Sequence, residues 1–138
     1  MTRSDAIDFI RRQRLAVIAT VTADGAPEAA LMGIAMTSDE RIVFDTFTTT
    51  RKYANLRARN TVALVVGWDD EVTVQIEGIA EEPTGEDLER CKDAYFAAYP
   101  EGRERASWPD IAYLAVRITW MRYCDYGIGG AGVLEFTR

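Results

Sequence analysis

Apolar and polar positions along the chain alternate with two periods, and their order predicts a mainly β protein with appended helices. Over 4–13, Ile7 and Ile10 form a one-sided apolar stripe. Ser4 is placed as N-cap, Asp5 and Asp8 come early, and Arg11, Arg12 and Arg14 come late, an order that suits both ends of a helix dipole. LAVIATVT (15–22) reads as a strand, and Ala23-Asp24-Gly25 as a turn into a second strand over 27–37. Ser38-Asp39-Glu40 turns the chain again, into RIVFDTF (41–47), giving three sequential antiparallel strands. TTTRKYANLRARN (48–60) opens with hydroxyl residues and carries Tyr53, Ala54 and Leu56 on one side, which predicts a short helix. Strands follow over 61–68 and 71–82, separated by Asp69-Asp70. Thr84 is placed to cap a helix running to about Tyr99, where Pro100 stops it. A polar loop leads into a last long strand over 111–124, and Gly127, Gly129, Gly130 and Gly132 predict a flexible tail before VLEF.

Six strands with short connections and two or three helices predict a six-stranded antiparallel barrel with appended helices. In VTVQIE, Val72, Val74 and Ile76 alternate with Thr73, Gln75 and Glu77, so that strand has one wet face. Residues 15–19, 29–36 and 62–67 are apolar on both faces. A barrel this small fills with its own side chains, so a cofactor-sized ligand has no room inside it. The extra apolar face is therefore covered by a second subunit, by a flat ligand, or by the appended helices.

Composition narrows the chemistry. The chain has 138 residues, 48% apolar and 28% charged, with no obvious linker, which predicts one folded domain over 1–138. No run approaches the ~20 apolar residues of a membrane span, and MTRSDAIDFIRRQR lacks the apolar centre of a signal peptide. Cys91 and Cys124 are far apart with no CxxC spacing, so a reduced cytoplasmic protein without a zinc ribbon is expected. There is no histidine, which excludes Ser-His-Asp and Cys-His nucleophiles and His-ligated zinc or haem. Redox or group-transfer chemistry would need an organic cofactor or other side chains. A net charge of −6 argues against nucleic-acid binding, though not against a local basic pocket.

Such a pocket is suggested by FDTFTTTRKYANL. A helix starting near Thr49 or Thr50 places Arg51 and Lys52 in its first turn, where cations oppose the dipole at a cost of a few tenths to ~1 kcal/mol each. The other two predicted helices begin with acids. An anion at this start reverses the sign, with backbone N–H groups, threonine hydroxyls, Arg51 and Lys52 converging on one phosphate. The competing reading is a solvated basic helix, since Arg57 and Arg59 continue the run. Trp120, Tyr123 and Tyr126 could stack on a ring but read more simply as packing residues. GIGGAG (127–132) follows no βαβ context and carries no phosphate-binding reading.

RIVFDTFTTTRK (41–52) resembles the signature of the pyridoxamine 5'-phosphate oxidase-like family, the FMN-binding split barrels. Phe44, Asp45 and Thr46 stand at the strand end of that signature, and Thr50, Arg51 and Lys52 at its turn. The order of elements is similar over nearly the whole chain, and VTVQIEG places Thr73 where the family usually has a flavin-contacting Gln. The resemblance implies a six-stranded antiparallel split β-barrel and an FMN-dependent oxidoreductase. It implies that Thr50, Arg51 and Lys52 hold the FMN phosphate, that Thr46 bonds the flavin side chain, and that the backbone near Ala30, Leu31 and Met32 lines the ring. It further implies a homodimer with both flavins at the subunit interface.

The departures bear on activity. The oxidase proper has an Arg at the start of its second strand for the phosphate, where this chain has Ala29-Ala30. Its C-terminus carries a Trp and an Arg-x-His, whereas Cys124 stands near the Trp position here and no Arg-x-His follows. Oxidation of pyridoxamine phosphate is therefore not expected, and the missing histidine also disfavours the haem-handling relatives. A deazaflavin in place of FMN, or a flavin-binding protein without turnover, remain the competing readings, and the substrate is left open.

Overall fold

The computed structural model describes residues 2–127 and 132–137. Helix α1 (Arg3–Arg12) begins one position earlier than predicted. Thr2, not Ser4, is its N-cap: the Thr2 hydroxyl accepts from the Asp5 N–H, and the Asp5 carboxylate accepts from the Thr2 N–H at 2.7 Å. Strands β1 (Leu15–Val21) and β2 (Pro27–Gly33) form the expected hairpin. Its turn is closed by the Thr22 N–H on the Ala26 carbonyl at 2.8 Å, and Gly25 supplies the positive φ of +92°.

The single strand expected over 27–37 is broken. Ile34 is fully buried and donates its N–H to the Arg14 carbonyl instead of a ladder, so the run divides into β2 and the two-residue β3 (Ala35–Met36). β3 pairs with β4 (Arg41–Phe47), after which come α2 (Arg51–Ala58), β5 (Thr61–Val66), β6 (Val72–Glu81), α3 (Gly85–Ala98), the one-turn α4 (Gly102–Arg105) and β7 (Ile111–Asp125). Thr84 stands at the N-cap of α3 without a capping hydrogen bond from its side chain. The VLEF segment is a strand, β8 (Gly132–Thr137), paired with β7. Of the glycines expected in a flexible tail, Gly132 opens β8, while Gly129 and Gly130 lie outside the described residues.

The described residues thus form eight strands, not six, in one antiparallel sheet ordered β2-β1-β5-β6-β7-β4-β3, with β8 beside β7. Its two edges, β2 and β3, are consecutive in the chain, so the sheet closes through one residue, Ile34, and no ladder joins β2 to β4 among the described residues. That is what makes the barrel split. Curvature is helped by a bulge where Glu77 pairs with Trp120 but Gly78 pairs with Ile118. A Cβ on Gly78 would lie 2.6 Å from the Arg117 carbonyl oxygen, so this close backbone approach requires glycine.

The interior is filled by side chains, including Ile18, Ile42, Phe44, Leu64, Val74, Ile76, Leu114, Val116 and Met121, with Phe9 and Ile10 of α1 closing one end. On the outside of β3, β4 and β7 a second cluster packs beneath α3: Ala35, Val43, Tyr113 and Ala115 against Cys91, Tyr95, Phe96 and Tyr99. These strands are apolar on both faces because a helix covers the second face. Among the described residues no helix does the same for β1, β2 and β5. Leu31 is 61% exposed, Leu15 42% and Val65 39%, and Leu31, Val17 and Val65 stand in register across the three strands.

Candidate functional site

The Arg51–Lys52 signal lies where β4 ends and α2 begins. Thr50 is the N-cap, and its Oγ1 accepts from the Tyr53 N–H at 3.3 Å and donates to the Phe47 carbonyl at 2.9 Å. With that proton committed, Thr46 is the donor in the 3.0 Å contact between the Thr46 and Thr50 hydroxyls. Lys52 Nζ donates in turn to Thr46 Oγ1 at 3.4 Å. Lys52 is half-buried, and desolvation pulls its ammonium below the usual lysine range, opposed in part by the charge of Asp45. The first turn of α2 contains no acid, unlike those of α1 and α3, so both cations stand at the positive end of the dipole.

Facing this turn is the edge strand β2. A cleft of about 230 Å³ lies between them, lined by Ile18, Thr20, Glu28, Ala29, Ala30, Thr50, Arg51 and Lys52. Buried Asn55, one turn into α2, ties two of these lining residues together: Nδ2 donates to Thr20 Oγ1 at 3.0 Å and to Glu28 Oε1 at 2.7 Å. The Glu28 carboxylate, whose side chain is 15% exposed, also ion-pairs with the outward-lying Arg51 guanidinium. Two cations, the threonine hydroxyls and a helix N-terminus can hold an anion such as a phosphate, with one acid built into the same cleft.

The residues singled out from sequence are distributed unevenly about this cleft. Thr46, Thr50, Arg51 and Lys52 are brought together, and Ala30 lines the opposite wall. Met32 leans inward on the barrel core and Leu31 points outward to solvent. The Phe44 ring is fully buried in the barrel, leaving only its backbone for any ligand. Asp45 turns to the other face of β4, where it accepts from Tyr95 Oη at 3.0 Å and Arg105 Nε at 3.1 Å. Thr73 is on β6, three strands from β2, on the outward face with Gln75. Of the aromatic candidates, Tyr123 packs edge-on against Phe9, while Tyr126 is exposed.

Glu28, Asn55 and Thr20 were not anticipated. Their only local signals are a lone acid in the apolar run 27–33 and an amide interrupting the apolar stripe of α2. Among the described residues there is no cluster of three or more His, Cys, Asp or Glu side chains suited to a metal ion, and no helix is long and apolar enough to cross a membrane.

Comparison with known proteins agrees with this architecture. The family described as pyridoxamine 5'-phosphate oxidase matches residues 5–125. A pyridoxine/pyridoxamine 5'-phosphate oxidase of Rubrobacter xylanophilus is 36% identical over 93 residues, 67% of this chain but 41% of that protein, so the chain spans well under half of its relative's length. Among solved structures, a pyridoxamine 5'-phosphate oxidase-related, FMN binding protein from Nostoc punctiforme superposes with a TM-score of 0.77 at 13% identity, covering 99% of this chain and 90% of that one. A heme binding protein from Mycobacterium smegmatis gives 0.79 at 19% identity, covering 97% and 59%. At such identities these structures speak for the fold, a curled antiparallel split barrel. With a family match over almost the whole chain, this protein belongs to the pyridoxamine 5'-phosphate oxidase family.

Proposed function

We propose that this protein is an FMN-binding flavoprotein, an oxidoreductase of undetermined substrate, working as a homodimer with the flavin at the subunit interface. The observation that carries the reading is the convergence of Thr46, Thr50, Arg51 and Lys52 at an α2 start with no acid in its first turn. The donor set fits a flavin phosphate. The cleft, about 230 Å³ against the ~300 Å³ at which ligand pockets begin, suits the phosphate end of a flavin better than the whole cofactor. That shortfall and the bare apolar face of β1, β2 and β5 favour a second copy completing the site. Flavin, when bound, supplies hydride and electron transfer. The chain's own part is to anchor the phosphate through Arg51 and Lys52 and to keep water from the ring with Ala30 and its neighbours. The two cysteines are free and buried, which suits a reducing, cytoplasmic setting.

The name of the mycobacterial neighbour raises haem as a second reading. This chain has no histidine to serve as axial ligand, which weighs against it. A deazaflavin, with its longer acidic tail, competes more closely, and a flavin-binding protein without turnover is the third possibility. Mass measurement on the small molecule released from the purified protein separates them. FMN is expected; a deazaflavin or haem overturns the cofactor assignment. Anaerobic bleaching of the bound flavin by a nicotinamide cofactor supports an enzyme, and a flavin that no donor reduces supports a passive binder.

A further inference from the structure

The cleft beside α2 is not simply basic. Three of its lining residues are charged, Arg51, Lys52 and Glu28, so their charges sum to one positive unit. Nor is Glu28 a passing surface acid. Its side chain is largely buried, one carboxylate oxygen is fixed by Asn55 Nδ2 at 2.7 Å, and Asn55 is itself buried and tied to Thr20, which is 2% exposed. The other end of the carboxylate engages Arg51, the more exposed of the two cations. Swinging Glu28 out of the cleft would leave the Asn55 amide short of an acceptor in a buried position, which opposes the movement. A ligand phosphate at the α2 start therefore meets Arg51 already partly neutralised and a fixed negative charge on the opposite wall.

Resting on the phosphate reading above, we infer that Glu28 tunes the charge specificity of this site, narrowing its preference for a doubly charged phosphomonoester over a singly charged phosphodiester. The acid's repulsion grows in proportion to ligand charge, so its logarithmic effect on affinity is twice as large for a dianion as for a monoanion. Above pH 7 a phosphomonoester such as FMN is close to a dianion, its second pKa being about 6. A cyclic diester carries one charge at any such pH.

The probes are FMN, riboflavin 4',5'-cyclic phosphate and riboflavin, titrated at pH 8 by flavin fluorescence against the full chain and against Glu28→Gln. Glutamine keeps the oxygen that Asn55 needs, and a melting curve for the apo-variant checks that it folds; Glu28→Ala serves as the second charge-free variant. Removal of the charge is expected to tighten FMN about tenfold or more, the cyclic ester by about the square root of that factor, and riboflavin not at all. The inference is overturned if FMN is unchanged or weakened, or if both phosphorylated flavins shift equally. Should neither phosphorylated flavin outbind riboflavin on the parent chain, the phosphate reading itself fails and takes this inference with it. If that preference holds and the twofold logarithmic ratio is missing, Glu28 alone has been misassigned.

Discussion

Thr46 and Thr50 place their hydroxyls 3.0 Å apart, one at the end of β4 and the other at the cap of α2. Strand and helix are thereby locked at the point where Lys52 also arrives, and the proton direction runs from Lys52 to Thr46 to Thr50 to the Phe47 carbonyl. Lys52, with three protons and one of them committed, keeps donors for an incoming anion, whereas each threonine hydroxyl has to turn its one proton away from its present acceptor to bind one.

Loss of the cap is therefore expected to affect stability and binding together. Thr50→Ala should cost about 1 kcal/mol, a fall in Tm of about 3 °C for a chain of this length, and should weaken FMN. Thr50→Ser should restore both. A melting curve and a flavin titration on the two variants decide it, and an unchanged Tm for Thr50→Ala would remove the capping role.

Arg51→Ala and Lys52→Ala should each weaken FMN by ~1.5–3 kcal/mol, roughly 10- to 150-fold, and leave riboflavin nearly indifferent. The apo-protein should be as stable or slightly more stable without Lys52, because a partly desolvated ammonium leaves the positive end of a helix. Flavin titration beside an apo-protein melt measures both; unchanged FMN affinity with a destabilised apo-protein would make these ordinary structural cations.

The bare outer face gives a separate expectation. A stable homodimer should bury about 2,000 Å² or more. Leu31→Glu, at a position 61% exposed in the single chain, should dissociate it without unfolding the barrel. Light scattering that finds the parent already at 15.4 kDa with flavin bound would refute the dimer.

Pyridoxamine phosphate should be a poor substrate, turned over well below ~1 s⁻¹, the low end of common enzyme rates. The second strand carries Ala29-Ala30 where the family resemblance implies a phosphate-binding Arg, and no Arg-x-His follows Cys124. Oxygen consumption with that substrate at ordinary enzyme rates would contradict this reading of the chain's departures.

Much of the fold was legible because local chemistry decided it. Asp24-Gly25 between two apolar runs did make a hairpin, and Arg51-Lys52 without a first-turn acid did mark an unusual helix start. The break at Ile34 was hidden by an unbroken apolar run, since its cause is a hydrogen bond to Arg14 twenty positions away. β8 was obscured by the glycines before it, whose freedom says nothing about the strand that pairs with β7. Strand alternation alone could have turned Asp45 away from Thr46 and Phe44. By contrast, the Thr20–Asn55–Glu28 network joins residues 27 and 35 positions apart and leaves no periodic trace.

The single-residue link at Ile34 also decides how the barrel can give. The sheet's two margins are stitched together there and run unbonded from that stitch toward Pro27 on one side and Phe47 on the other. The seam is therefore held at two points, by the covalent link at Ile34 and, at the far end where Glu28 and Ala30 face Lys52, by the Glu28–Asn55 hydrogen bond. Residues 33–35, which touch no ligand in any reading of the site, are thus the place where a length change of one residue would reset the gape of the cleft.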